Sequence, residues 1–208
     1  MQSQFHYSMR GSKVWNLPNL LTYGRIVAVP LVAGLLLWND RAEELTGLGV
    51  LTARWIALAL YIVAAISDFF DGYLARRWQL QSSLGRMLDP IADKVLVAVV
   101  LLVLCGDQIL RGGHVWAAII ILAREVLVSG LREYLGQLRV SVPVTQIAKW
   151  KTAVQLVAVG FLIAGPAGDT IVPVVTWIGI AGLWIAAGLT LYTGYDYFRA
   201  GIRHVVGE

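Results

Sequence analysis

The sequence predicts an all-α fold, an integral membrane bundle of six transmembrane helices, and three observations lead there. Only 14% of the 208 residues are charged and 58% are hydrophobic, with a mean hydropathy of +0.68; a soluble domain carries about 25% charge. Six apolar runs approach or exceed the ~20 residues that a helix needs to cross a bilayer. Lys and Arg collect in alternate connections between those runs, as topology requires of a membrane protein.

The runs lie near 19–38, 55–77, 88–106, 115–134, 150–165 and 171–195, joined by short connections. They are read as one integral membrane catalytic domain, 1–208, with a polar N-terminal segment over 1–15. Trp15 and Trp38 bracket the first run and Trp55 and Trp78 the second, where an indole keeps its ring in lipid and its N–H at the headgroups. Trp177 and Trp184 fall inside the last run and are expected to be packing residues. The first apolar run is long and lacks a small-residue cleavage site behind it, so no removable signal peptide is expected. The lone Cys105 excludes an intramolecular disulfide and reads as a small buried hydrophobe.

Orientation follows from the cations. Arg10 and Lys13, then Arg76, Arg77 and Arg86, then Arg132, Arg139, Lys149 and Lys151, and finally Arg199 and Arg203 make eleven on one side, against Arg41, Arg54 and Arg111 on the other. Both termini are expected in the cytoplasm, which only an even number of spans allows. The same dispersal disposes of nucleic acid as a partner: the net charge of +4 comes from cations spread among apolar segments, not from a basic face.

The remaining charges sit where a membrane protein seldom tolerates them: Asp68, Asp71, Asp89, Asp93, Lys94, Arg124 and Glu125, with Arg25 near the start of the first span. Each costs about 2.5–3.5 kcal/mol at the bilayer centre, so they must face one another, water or ions. Asp68 and Asp71 are three apart and Asp89 and Asp93 four apart on successive helices, so each pair can project from one face. A short turn between the helices lets the pairs converge at the end of an antiparallel hairpin. Pro90 is expected in the first turn of the third span, with Asp89 at its start. Carboxylates gathered this way are stable with hard divalent cations, Mg²⁺, Mn²⁺ or Ca²⁺, and two such ions about 3.5–4 Å apart suit the count and would bridge a phosphate or pyrophosphate. Alternatively, one or two of these Asp cap helices or pair with Arg76, Arg86 or Lys94. Gly72, Ala75 and Gly85 leave room for a bulky polar ligand to approach the backbone, or for close helix packing. Arg76 can fork onto phosphate oxygens.

From Asp68 to Asp93 the chain reads D-F-F-D-G-Y-L-A-R-R-W-Q-L-Q-S-S-L-G-R-M-L-D-P-I-A-D, which satisfies all eight fixed positions of D-x2-D-G-x2-A-R-x8-G-x3-D-x3-D. On that pattern the chain resembles the CDP-alcohol phosphotransferase family. Three further stretches resemble its bacterial phosphatidylglycerophosphate synthase branch: Asn16 to Arg25 (N-L-P-N-L-L-T-Y-G-R), Ala123 to Glu133 (A-R-E-V-L-V-S-G-L-R-E) and Ala148 to Thr152 (A-K-W-K-T). The likeness runs from about residue 16 to the end of the sixth span, and loop 39–54 matches nothing.

The resemblance implies a six-span enzyme of the bacterial cytoplasmic membrane, usually a homodimer, with its active site on the cytoplasmic side. It would transfer the phosphatidyl group of CDP-diacylglycerol to an alcohol and release CMP. By the same resemblance Asp68, Asp71 and Asp89 bind two divalent cations (Mg²⁺ or Mn²⁺) with help from Asp93, which is the general base, and Gly72, Ala75, Arg76 and Gly85 line the cytidine diphosphate site. Asn19, Thr22 and Arg25 are weaker candidates for the CDP-diacylglycerol site, against helix capping and snorkelling. The branch's acceptor, sn-glycerol 3-phosphate, is a dianion and needs cations: Arg124, Lys149 and Lys151 are the candidates. Against these stand positive-inside anchoring for the lysines and an ion pair with Glu125 for Arg124. Serine, inositol phosphate or phosphatidylglycerol are alternative acceptors. A divalent-cation transporter is the alternative from another class, disfavoured because no acidic residues on the other side complete a path.

Overall fold

The structure, a computed structural model, describes residues 17–38, 40–78, 83–137 and 146–206. Among these there are seven α-helices, one 3-10 turn at Gly112–His114 and no strand. The helices are α1 (Leu17–Leu36), α2 (Asp40–Thr46), α3 (Val50–Trp78), α4 (Ser83–Gly106), α5 (Val115–Gln137), α6 (Gln146–Asp169) and α7 (Val175–Val206). All but α2 overlap the expected runs, with ends shifted by up to eleven residues, the largest shift at the end of α7.

Five described stretches are long and apolar enough to cross a membrane: Asn19–Leu36, Val50–Ser67, Gly112–Gln137, Gln146–Asp169 and Val175–Arg199. α4 contributes a shorter apolar stretch, Lys94–Gly106, to a helix of 24 residues, about 36 Å at 1.5 Å per residue. The short α2, which periodicity does not reveal, folds the first connection back on itself. Glu43 accepts the backbone N–H of Val50 at the start of α3 (3.1 Å), and the Trp38 indole donates to the Leu48 carbonyl (3.0 Å).

α1 packs on α3 and α4, and α6 on α7, α3 and α4, while α5 packs mainly on α7. Over the described residues α3 packs chiefly on α1 and α6, and α4 chiefly on α1; the expected meeting of the two aspartate pairs at the joined ends of α3 and α4 lies outside the described side chains. The core runs through all six long helices, from Val32 and Leu36 of α1 to Leu183 and Ala186 of α7, with Cys105 packed against its edge. Small residues bring α6 and α7 together: a Cβ on Gly179 would lie 2.8 Å from Leu162 Cγ and 3.0 Å from its backbone nitrogen. Between membrane helices such contact replaces the hydrophobic drive that lipid removes.

Two local breaks matter. Pro90 lies in the interior of α4, which begins at Ser83, and not in its first turn as expected. In α6 the helix breaks at Gly165, whose φ of 37° and ψ of −120° suit only glycine, and Pro166 follows without an N–H to continue the ladder. Arg54, counted from the sequence as an outer-side anchor, is only 5% exposed. It donates to the Ile163 carbonyl just before the break (3.4 Å) and is ion-paired with Asp107 at the end of α4. This pair ties α3, α4 and α6 together at one end of the bundle.

Trp177 and Trp184 are not core residues. Trp177 is 64% exposed in the first turn of α7, edge-on to His114 with ring centroids 6.1 Å apart, and the half-exposed Trp184 donates its indole N–H to His114 Nδ1 (3.2 Å). Exposed aromatics mark two levels of the surface. Trp116 and Tyr134 of α5 are 18 residues apart, as are Trp177 and Tyr195 of α7, about 27 Å in each helix. That separation approaches the ~30 Å hydrocarbon core of a bilayer, where aromatic belts form.

Candidate active site

Helix register places the candidate residues at one end. Asp68, Asp71, Gly72, Ala75 and Arg76 lie toward the C-terminal end of α3, and Gly85, Asp89 and Asp93 toward the N-terminal end of α4. Both segments are α-helical, so positions 68 and 71 share a face, as do 89 and 93. The side chains of these eight residues lie outside the described set. Among the described residues no group of three or more His, Cys, Asp or Glu side chains could hold a metal.

On α1, Asn19, Thr22 and Arg25 are buried, at 2%, 1% and 2% exposure. They continue the seam on which Val29, Val32 and Leu36 enter the core, spaced by three or four residues throughout. The seam therefore turns from apolar to polar at the N-terminal end of α1. That end lies with the aspartate end of α3, because α1 and α3 are packed helices joined by a short connection.

A second group lies between α4, α5, α6 and α7. Glu125 Oε1 accepts from Arg124 Nη1 at 3.3 Å and from Lys151 Nζ in a closer ion pair. Arg124 Nη2 also donates to Thr193 Oγ1 of α7 (3.2 Å). One turn along α5, Ser129 donates to the Glu125 carbonyl (2.5 Å) and accepts from Lys94, the residue after Asp93. Arg124 lies against Gly194, where a Cβ would come within 2.9 Å of its Cγ. Lys151 is 4% exposed, whereas Lys149 is exposed, about 200° around α6 from it. Of the three cations expected to bind the acceptor's phosphate, Arg124 and Lys151 come together and Lys149 does not.

The level of this group relative to the aspartates follows from the contacts between α3 and α6. Arg54 meets Ile163 and Tyr61 donates to the Leu156 carbonyl (3.1 Å), seven residues along each helix in opposite directions. Continued, this antiparallel register sets Lys151 level with Ile66, within a turn of Asp68. Through Lys94 and Ser129 the group is also tied to α4, one residue along the helix from position 93.

Thr190, Thr193, Gly194 and Gln155 were not legible as site residues. They are isolated small or polar side chains in apolar runs, and only packing shows that all four are buried and that Thr193 and Gly194 lie against Arg124. Gln155 Oε1, Thr190 Oγ1 and Arg124 Nε are buried without a hydrogen-bond partner among the described residues. Gln155 is one turn from Lys151 on α6, and Thr190 one turn from Thr193 on α7. A cavity of about 270 Å³ lined by residues including Gln108, Arg111, His114 and Trp177 lies at the opposite end of the bundle, away from this chemistry.

An all-helical membrane bundle with acidic helix ends and buried cations at one level defines the class, and comparison with known proteins supplies the family. Residues 15–192 match the CDP-alcohol phosphatidyltransferase family model, and the chain belongs to that family of membrane-bound transferases of phospholipid synthesis. It is 37% identical to a Cereibacter sphaeroides protein named CDP-diacylglycerol–glycerol-3-phosphate 3-phosphatidyltransferase, over 93% of this chain and 99% of that protein. It is 44% identical to a Rickettsia bellii protein of the same name, over 89% and 94%. A rice protein named cardiolipin synthase (CMP-forming) is 35% identical over 90% of this chain and 57% of its own length.

Proposed function

We propose that the chain transfers the phosphatidyl group of CDP-diacylglycerol to sn-glycerol 3-phosphate, giving phosphatidylglycerophosphate and CMP, in phosphatidylglycerol and cardiolipin synthesis. The observation that carries this is the meeting at one level of two features: the helix ends bearing the eight-position motif, and two cations, the partly buried Arg124 and the buried Lys151. A phosphatidyl donor needs the first, and a dianionic acceptor needs the second. The names of the bacterial relatives support the same acceptor.

In this mechanism Asp68, Asp71 and Asp89, aided by Asp93, hold two divalent cations, Mg²⁺ or Mn²⁺. The donor set fits, since four carboxylates on two helix faces offer hard oxygen ligands only. Bound there, the ions supply positive charge to the diphosphate and to the leaving CMP. Gly72, Ala75, Arg76 and Gly85, with Asn19, Thr22 and Arg25 from α1, bind the cytidine diphosphate part of the donor. Arg124 and Lys151 hold the acceptor's phosphate, with Lys149 nearer the surface on its approach. Asp93 takes the proton of the acceptor hydroxyl as that oxygen bonds to the diacylglycerol-linked phosphorus. The bond from that phosphorus to the oxygen of CMP breaks, and CMP leaves with the electron pair. Asp93 suits this role by register, as the motif's second carboxylate along α4, one turn beyond Asp89, and a base must meet the hydroxyl that it deprotonates.

All six long helices span the membrane as one catalytic domain, with both termini and the site on the cytoplasmic side of the bacterial inner membrane, and the enzyme works as a homodimer. Supplying the purified enzyme with CDP-diacylglycerol and, in turn, glycerol 3-phosphate, serine, inositol phosphate and phosphatidylglycerol tests the acceptor. CMP release and a phosphatidylglycerophosphate product are expected with the first alone; turnover with another alcohol and none with glycerol 3-phosphate overturns the assignment.

A further inference from the structure

The two cations of the candidate acceptor site, the buried Lys151 and the partly buried Arg124, are already partnered by an anion belonging to the chain. Glu125 Oε1 takes both Lys151 Nζ and Arg124 Nη1 on a single oxygen. A phosphate dianion in place of that carboxylate would offer those donors the same kind of contact. We propose that Glu125 is a resident stand-in for the acceptor's phosphate: it holds Arg124 and Lys151 as a pair before the acceptor arrives, and it yields their donors to the phosphate on binding. Glu125 thereby sets acceptor affinity as a positioning residue.

Three observations carry the inference. The first is charge: two cations share one carboxylate, leaving one positive charge over within a largely buried group. Two cations buried without any counter-charge would be strongly destabilising, and a carboxylate between them relieves this. The second is unmet hydrogen bonding. Gln155 is 5% exposed and Thr190 fully buried, each one turn from a residue of the group, and the side-chain oxygens of both lack a partner among the described residues, as does Arg124 Nε. A polar guest carrying hydroxyls as well as phosphate could satisfy such atoms, whereas a closed structural ion pair has no use for them. The third is restraint. Arg124 is held from behind by Thr193 and packs on Gly194, and the Glu125 backbone carbonyl is tied to Ser129. The helix and the guanidinium are thus anchored independently of the carboxylate, which leaves Glu125 as the group that can give way.

The inference rests on Arg124 and Lys151 being the acceptor's phosphate site, and the test separates the two. Full-length enzyme with Glu125→Gln is compared with wild type for its Michaelis constant for glycerol 3-phosphate, its kcat, and its thermal midpoint with and without inorganic phosphate. A resident anion predicts a KM lowered on the order of tenfold, a reduced midpoint without phosphate, and a larger phosphate-dependent rise than in wild type, since a ligand that binds only the folded state stabilises it. A raised KM, or a phosphate-dependent rise no larger than that of wild type, overturns the proposal. Lys151→Met serves as the control: an unchanged KM there shows that the acceptor binds elsewhere, which removes the site assignment itself. Should Glu125→Gln fail to fold, Glu125→Asp keeps the charge and retracts it by one methylene. It is expected to lower KM less but in the same direction, and a raised KM in that variant counts equally against the proposal.

Discussion

Asp93 carries the proton in the proposed reaction, and its neighbours on α4 allow that role to be separated from metal binding. Asp89 and Asp93 share a helix face and both can approach the cations, but only the base must meet the acceptor hydroxyl. General base catalysis contributes about 10²–10⁴-fold to such a step. Asp93→Asn should therefore lower kcat by at least the lower of those factors, with KM for CDP-diacylglycerol and the Mn²⁺ concentration for half-maximal activity changed much less. Steady-state kinetics with Mn²⁺ titration checks this, and a variant whose activity returns at high Mn²⁺ would make Asp93 a ligand and not the base. The motif that names this residue was fully legible, because its eight identities at fixed spacing need no tertiary knowledge. The difference between Lys149 and Lys151 was half legible. A spacing of two residues already argues against a shared face, but which lysine turns inward depends on where α5 packs.

At the scale of elements, α7 decides where Arg124 can lie. Thr193 and Gly194 face α5 at its level, one as acceptor and one as space. Gly194→Ala would set a methyl 2.9 Å from Arg124 Cγ and 3.2 Å from its Nε, so the side chain must move and its contact with Thr193 must open. Overpacking of this kind costs about 1–3 kcal/mol. The expected result is a KM for glycerol 3-phosphate raised several-fold, with little change in KM for CDP-diacylglycerol; equal rises in both would place Gly194 in general packing. No sequence pattern foretold this contact. Hydropathy reads the length of a span and says nothing of which helix lies against it, since lipid and protein interior are equally apolar. The same blindness explains Trp177 and Trp184, assigned to packing from their place within a span although they lie at its surface beside His114. It explains α2 as well, whose seven residues are too few for a periodic signal. Arg54 shows the reverse: a cation counted toward topology is spent on the Asp107 pair that closes the far end of the bundle.

For the whole molecule the open quantity is the number of crossings, and it can be read from two positions. Leu45 in α2 is 81% exposed and Arg111 is exposed just before α5; α3 and α4 lie between them. If both helices cross, the two positions face the same compartment. If α4, whose described apolar stretch is only Lys94–Gly106, does not cross, they face opposite ones. The 24 residues of α4 are sufficient in length. Its ties also favour a full crossing, because Lys94 meets Ser129 near the aspartate end while Asp107 meets Arg54 at the other. Single cysteines placed at Leu45, Arg111 and Gln137 in a Cys105→Ala background, probed with a membrane-impermeant maleimide on intact spheroplasts, give the answer. Labelling of the first two without permeabilisation, and of the third only after it, is expected from six spans with a cytoplasmic active site. Labels at Leu45 and Arg111 from opposite sides would reduce the count to five. The reverse pattern at all three would turn the molecule over and overturn the cytoplasmic placement of the motif.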